Sequence, residues 1–135
     1  MDKQLKYGFG QTVNLDYEKA VERTKEALAS EGFGVLSEIN VRETLKKKLD
    51  VDFRPYVILG ACNPPLAHQA LTHELDIGLL LPCNVIVYAD KDPNRSVVAF
   101  MDPEAALALT GNERIRGLAQ EVKERLERVM EKLGT

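Results

Sequence analysis

Apolar and polar residues recur along the chain with two spacings, and these predict alternating strands and helices. Strict alternation is typical of half-buried strands, whereas apolar residues three and four positions apart are typical of helices. The alternating segments predict strands over residues 5–13, 33–41, 56–59, 85–88 and 96–100. The helical spacing predicts helices over residues 16–31, 42–49 and 63–75, a short one opening at residue 103, and a long last one ending near residue 133.

Residues that suit helix N-termini occur at the predicted boundaries. Asp16 and Asn63 carry side-chain oxygens that accept hydrogen bonds from the first free amides of a helix. Pro64 follows Asn63, and proline is favoured at the first helical position because its missing amide would be unpaired there. Thr110 with Glu113 three residues later predicts a capping box for the last helix.

The stretch between the third helix and the fourth strand is harder to assign. Residues 78–81 are compatible with a strand, but Pro82 cannot donate to a sheet and confines that point to an edge, a strand start or a bulge. Beyond it, residues 85–88 and 96–100 flank the turn-forming residues 92–94, Asp-Pro-Asn. This pattern predicts an antiparallel hairpin.

The elements follow the order β-α-β-α-β-α-β-β-α-α, which favours an α+β fold over a wound parallel sheet. A chain of 135 residues has the usual length of one domain, and no repeat or long linker divides it. We therefore expect a single globular domain over residues 1–135.

Charge and hydropathy bear on partners and location. The 18 basic and 21 acidic residues give a net charge of −3, which argues against a nucleic-acid partner. Lysines 46–48 have the acidic neighbours Glu43 and Asp50, a pattern typical of a solvated helix face. No apolar run is long enough to cross a bilayer, and the first residues do not form a signal peptide, so we expect no membrane partner and a cytoplasmic location.

Two cysteines are the main candidates for chemistry. Cys62 and Cys83 are the only ones, and each is followed by asparagine and lies within two residues of a proline. Thiols stay reduced in the cytoplasm, so a structural disulfide is disfavoured. Cys62 precedes a helix N-terminus, whose dipole favours the thiolate. A soft-metal site for copper(I) or zinc, or thiol redox chemistry, is the leading specific hypothesis; inert packing in the core is the competing interpretation.

Histidines would have to complete such a metal site. His68 lies within about two helical turns of Cys62 and is the candidate third ligand. His73 lies about 140° from His68 around the helix, so the two do not share a face. A Cys62–His68 nucleophile is disfavoured because two prolines remove amides that would stabilise an oxyanion. The sequence favours a non-enzymatic role over an enzymatic one.

Two further hypotheses come from other functional classes. A small-ligand-binding module would place an apolar molecule between sheet and helices, near Gly60, Asn63 and Pro82. A structural homodimer or interaction domain would use the long apolar stripe of the last helix or residues 97–101, which are apolar on both strand faces. We expect a homodimer.

Three blocks of sequence resemble the family called domain of unknown function 302: residues 31–35, residues 54–67 and residues 78–88. The resemblance implies a mainly antiparallel sheet with helices packed on one side, similar in outline to the TATA-binding-protein fold, and implies no established activity. It also implies that Cys62 and Cys83 belong only to a subset of members, because the parts common to the family are Gly60, Asn63, Pro64, Leu81 and Pro82.

Overall fold

A six-stranded antiparallel sheet forms the centre of the protein, as seen in a computed structural model that describes residues 2–134. Met1 and Thr135, the end points of the expected domain, lie outside the described residues. The strand order is β1-β2-β6-β5-β4-β3. The strands are β1 (Lys3–Gln4), β2 (Gly8–Val13), β3 (Gly34–Asn40), β4 (Tyr56–Cys62), β5 (Cys83–Ala89) and β6 (Ser96–Met101).

Within residues 2–134, five α-helices accompany the sheet, and α1, α3 and α5 pack their apolar residues against one face of it. We call this the inner face. The helices are α1 (Tyr17–Ser30), α2 (Val41–Leu49), α3 (Pro64–His73), α4 (Pro103–Leu107) and α5 (Glu113–Leu133). The expected α+β class, antiparallel sheet and helix placement are confirmed.

Alternation along the strands decides which residues enter the core. Leu59 on β4 pairs with Val85 on β5, and Val85 pairs with Phe100 on β6. All three are fully buried under the helices. The apolar stripe predicted for the last helix points at the same core, with Leu126 and Val129 fully buried. The apolar stripe of the last helix therefore packs within the protein's own core.

The opposite sheet surface, which we call the outer face, consists of the intervening strand residues. None of them is charged on the five longer strands, whereas Lys3 of β1 pairs with Gly10 and lies on this face. Many are apolar and half-buried, and several are glycine or alanine. The outer face comprises Gly8, Gly10, Thr12, Ser37, Ile39, Tyr56, Ile58, Gly60, Asn84, Ile86, Tyr88, Val97, Ala99 and Met101.

Helix caps follow the sequence with one exception. Asp16 accepts a hydrogen bond from the amide of Lys19 at 2.9 Å. Asn63 caps α3 in the same way. The capping box predicted from Thr110 is wrong: α5 is capped by Asn112, and the Thr110 hydroxyl accepts from the Asn112 amide. Asparagine is at least as strong a cap as threonine and lies directly before the helix.

The segment that was compatible with a strand over residues 78–81 belongs mostly to a 3-10 helix, Leu75–Leu80. Both edges of β4 are already paired, with β3 on one side and β5 on the other, so the segment has no free edge of β4 to join. After Pro82, which follows a cis peptide bond, β5 begins at Cys83. Within residues 2–134, no helix is long and apolar enough to cross a membrane.

Candidate functional site

An apolar cavity of about 290 Å³ lies on the inner side of the sheet, where β4 ends and β5 begins. The strands contribute Ala61, Cys62 and Cys83 to its wall. Helices α3 and α5 form its sides, and Leu107 of α4 adds a further contact surface. The helical wall residues are Asn63, Leu66, Ala67, Ala70, Leu71, Leu118 and Val122.

The cavity exists because two hydrophobic clusters meet there without filling the space. The main core contributes Leu66 and Val122 to the wall, and a smaller cluster beneath α3 contributes Ala70 and Leu107. Protein interiors are otherwise packed as densely as organic crystals. Small side chains such as Ala70 leave the space between the two clusters unfilled.

The mouth of the cavity is rimmed by leucines that reach solvent. Leu36 is 70% exposed and Leu71 is 37% exposed, although both line the cavity. A β-bulge between Val35 and Ser37 shifts the register of β3 against β4, and Leu36 is the extra residue. The bulge therefore places an apolar side chain at the entrance.

Asn63 is the one wall residue with a polar amide side chain, and both its oxygen and its nitrogen form a hydrogen bond within the protein. Its Oδ1 accepts from the Leu66 amide at 3.4 Å and its Nδ2 donates to the Glu31 carbonyl at 3.4 Å. Arg125 donates to the same Glu31 carbonyl at 3.1 Å. The wall residues carry no charge. The lining therefore suits a neutral apolar molecule rather than an ion.

Both cysteines are lining residues of this one cavity, and they come from adjacent strands. Cys83 pairs with Ala61, and Cys62 follows Ala61 directly. Burial, and to a smaller extent the neighbouring Cys62, raise the pKa of Cys83 from its ordinary value of 9.0 to about 11. Burial also raises the pKa of Cys62. The expectation of a dipole-stabilised thiolate at Cys62 is wrong, because desolvation by the apolar surroundings favours the neutral thiol.

His68, the predicted third ligand, does not line the cavity at which the two cysteines lie. His68 is exposed on α3 and is not part of the wall. Among residues 2–134, no group of three or more His, Cys, Asp or Glu side chains is arranged to hold a metal ion. Two cysteines thus line one cavity, but among the described residues no third metal ligand accompanies them.

The three residues predicted for ligand binding have different places. Asn63 and Pro82 line the cavity, whereas Gly60 does not. Gly60 lies where a side chain would not fit: a Cβ atom there would clash with Ser37 Oγ and lie 2.9 Å from Pro82 Cγ. Glycine at this position lets β3 and the Pro82 turn approach β4 closely.

Sequence reasoning missed most of the cavity wall. Leu118 and Val122 appear in the sequence as ordinary members of the α5 stripe, and nothing in their spacing marks them as lining an open space. The available signal was on α3, where Ala67 and Ala70 put small residues on a face that packs against the rest of the protein.

Comparison with known proteins gives the family. Residues 9–133 match the family described as Domain of unknown function DUF302. The chain belongs to the DUF302 family. The family resemblance of the three sequence blocks is thus confirmed.

A solved DUF302 structure shares this fold. The protein described as uncharacterized conserved protein DUF302 from Bacillus stearothermophilus, known from a crystal structure, is 29% identical, with a TM-score of 0.86. The similarity covers 94% of this chain and 98% of that chain. No curated protein matches the chain. DUF302 membership fixes the fold and carries no assigned activity.

Proposed function

We propose that this DUF302 protein binds a small, neutral, apolar molecule in the cavity between α3, α5 and the β4–β5 junction. The supporting observation is an open space of about 290 Å³ whose wall, apart from Asn63 and two thiols, is hydrocarbon or glycine and proline. Ligand pockets are concave, largely apolar and mostly about 300–1,000 Å³ in volume. This cavity lies at the lower end of that range.

The chemistry of the wall favours binding without reaction. The pKa of each thiol is raised, so the nucleophilic thiolate is scarce at neutral pH. No carboxylate, histidine or basic side chain lines the cavity. The free energy of binding would come from burying apolar surface, about 0.8 kcal/mol for each methylene group.

A series of n-alkanols tests the proposal. Each added methylene should tighten binding about fourfold, until the chain outgrows the cavity and the affinity stops rising. The methyl resonances of Leu66, Leu118 and Val122 should shift during the titration, which nuclear magnetic resonance follows directly.

A matched pair of alanine substitutions ties the effect to the cavity. Ala67→Phe fills part of the space from α3 and should shorten the longest alkanol that binds. Ala29→Phe adds the same side chain at an exposed position of α1 and should leave the series unchanged. Equal behaviour of the two variants, or shifts spread over the outer face instead, would refute the proposal.

Soft-metal binding by the two thiols is the second candidate, supported by the observation that both cysteines line one cavity and are free. It needs further ligands from an exogenous thiol or a second chain, because the wall supplies none. Its test is copper(I) binding to the reduced protein against a Cys62→Ser, Cys83→Ser double variant. Equal affinity for the metal in both proteins would reject it. We also propose a cytoplasmic location for the protein, because thiols stay reduced in the cytoplasm and both cysteines are free.

A further inference from the structure

The outer face carries a continuous apolar row across five strands. Ile39, Ile58 and Ile86 are direct neighbours on β3, β4 and β5, and the row continues through Ala99 on β6 to Gly10 on β2. Helices α1, α3 and α5 all lie on the other side of the sheet. Contiguous apolar patches of several hundred Å² on a protein surface usually mark an interaction site.

The side chains of this row become smaller from β3 to β2. Isoleucines on β3, β4 and β5 form a ridge, whereas Ala99 and Gly10 form a hollow. No side chain larger than hydrogen fits at Gly10, because a Cβ atom there would lie 2.8 Å from the Ala99 Cβ. The hollow continues into an open groove of about 570 Å³ whose walls include Tyr7, 69% exposed, and Leu109, 80% exposed.

This relief is complementary to itself. A two-fold axis parallel to the strands and between β5 and β6 would place the β5 ridge of one copy over the β6 hollow of the other. Two-fold interfaces require such self-complementary surfaces. Facing sheets in sandwiches pack about 10 Å apart with interdigitating side chains, and ridge-into-hollow contact provides that arrangement.

Charge also suits a second copy. The outer-face residues of the five longer strands are uncharged, so the central strands of two copies meet without like-charge repulsion. Lys3 of β1, which pairs with Gly10, lies at the margin of this face. Five strands about 4.8 Å apart with three outward residues each give a patch of about 20 Å by 20 Å. This patch supplies about half of the ~800 Å² per partner that a standard interface buries, so the walls of the adjoining groove, including Tyr7 and Leu109, would have to join the contact.

The aromatic side chains of the outer face do not favour nucleic acid. Tyr56 and Tyr88 stack on each other with centroids 5.3 Å apart. Arg54 lies 5.7 Å from the Tyr88 ring centroid, and Phe53 packs at 6.2 Å against Tyr56. These ring faces are occupied within the chain, so they are not free to stack with bases.

We propose that the outer face is the interface of a two-fold homodimer, in which the isoleucine ridge of one copy packs into the glycine–alanine hollow of the other. The dimer is independent of the cavity, which opens on the helical side of the sheet. Each copy would keep its own cavity mouth exposed to solvent.

Sedimentation equilibrium of the wild-type protein should give twice the mass of one chain at micromolar concentration. Ile86→Asp should weaken self-association at least tenfold by placing a charge at the centre of the interface. Leu79→Asp is the matched control, because Leu79 is an 89% exposed apolar residue of the 3-10 helix, away from the outer face. A dimer lost with Leu79→Asp and kept with Ile86→Asp would overturn the proposal.

A second measurement does not depend on the folding of a variant. In a mixture of isotope-labelled and unlabelled wild-type chains, the Ile58 and Ile86 methyl groups should show intermolecular nuclear Overhauser effects to outer-face protons. A monomer at high micromolar concentration would overturn the proposal. So would a monomer in which added single-stranded oligonucleotide shifts the outer-face resonances, since nucleic acid would then be the occupant.

Discussion

Cys62 and Cys83 lie on adjacent antiparallel strands and line the same cavity, although 20 residues separate them in the sequence. Pairing of Ala61 with Cys83 fixes this relationship. The surroundings that bring the thiols together also keep them protonated, since burial raises the pKa of both. The cysteines are therefore best understood as part of an apolar wall.

Occupation of the cavity should protect both thiols from alkylation. Cys62 is half-exposed and Cys83 is buried, so iodoacetamide should modify Cys62 first. A saturating n-alkanol should slow both reactions at least severalfold, which mass spectrometry of timed samples measures. Modification of Cys83 before Cys62, or rates that the alkanol leaves unchanged, would contradict the location of the binding site.

Stability at alkaline pH should depend on Cys83. Its pKa is about 11 in the folded protein against an ordinary value of 9.0. Below pH 9 the thiol is neutral in both states; between pH 9 and 11 the unfolded chain loses the proton first, so the free energy of unfolding falls. The expected loss is about 2 kcal/mol. Cys83→Ala removes the titrating group and should flatten this part of the curve in urea titrations, compared with the wild-type protein.

Truncation of the α5 wall should enlarge the cavity and lower stability. Val122→Ala removes two methyl groups from a buried side chain that lines the cavity, at an expected cost of about 1–3 kcal/mol. The longest n-alkanol that binds should then increase by at least one methylene. Thermal unfolding and the alkanol series measure the two effects, and lower stability with an unchanged length limit would argue that the alkanols bind elsewhere.

Asn63 should matter more for stability than an ordinary helix cap. Asn63→Ala removes the buried cap of α3 and the part-buried hydrogen bond to the Glu31 carbonyl, so we expect a loss of about 2 kcal/mol. Asn40→Ala removes the exposed cap of α2, whose oxygen accepts from Glu43, and should cost about 1 kcal/mol or less. Equal losses in the two variants would show that the Glu31 link contributes nothing.

Local signals predicted much of the fold because they act within a few residues. Asp16 and Asn63 cap helices as expected, and residues 85–100 form the expected hairpin. Long-range relationships were beyond the sequence. The number of residues between the two cysteines does not indicate their distance in space. That distance depends on the pairing of β5 with β4, which α3 separates in the sequence.

The candidate site was predictable only in part for the same reason. Asn63, Pro82 and both cysteines, which the sequence singled out, lie at the cavity, but much of its wall comes from α3, α4 and α5. A cavity forms where side chains from several elements do not fill the space between them, so the residue type at one position does not reveal it. The apolar stripe of α5 suggested a dimer surface but is used in the core. The self-complementary outer face instead depends on the register that aligns Ile58, Ile86 and Ala99.

The most direct test of the central claim is the position of a bound apolar probe in a crystal of the wild-type protein soaked with 1-bromohexane. We expect a bromine anomalous peak in the cavity between Leu66, Leu118 and Val122, absent from crystals of the Ala67→Phe variant. A peak only in the outer groove, or no peak within the cavity at full soak, would contradict it.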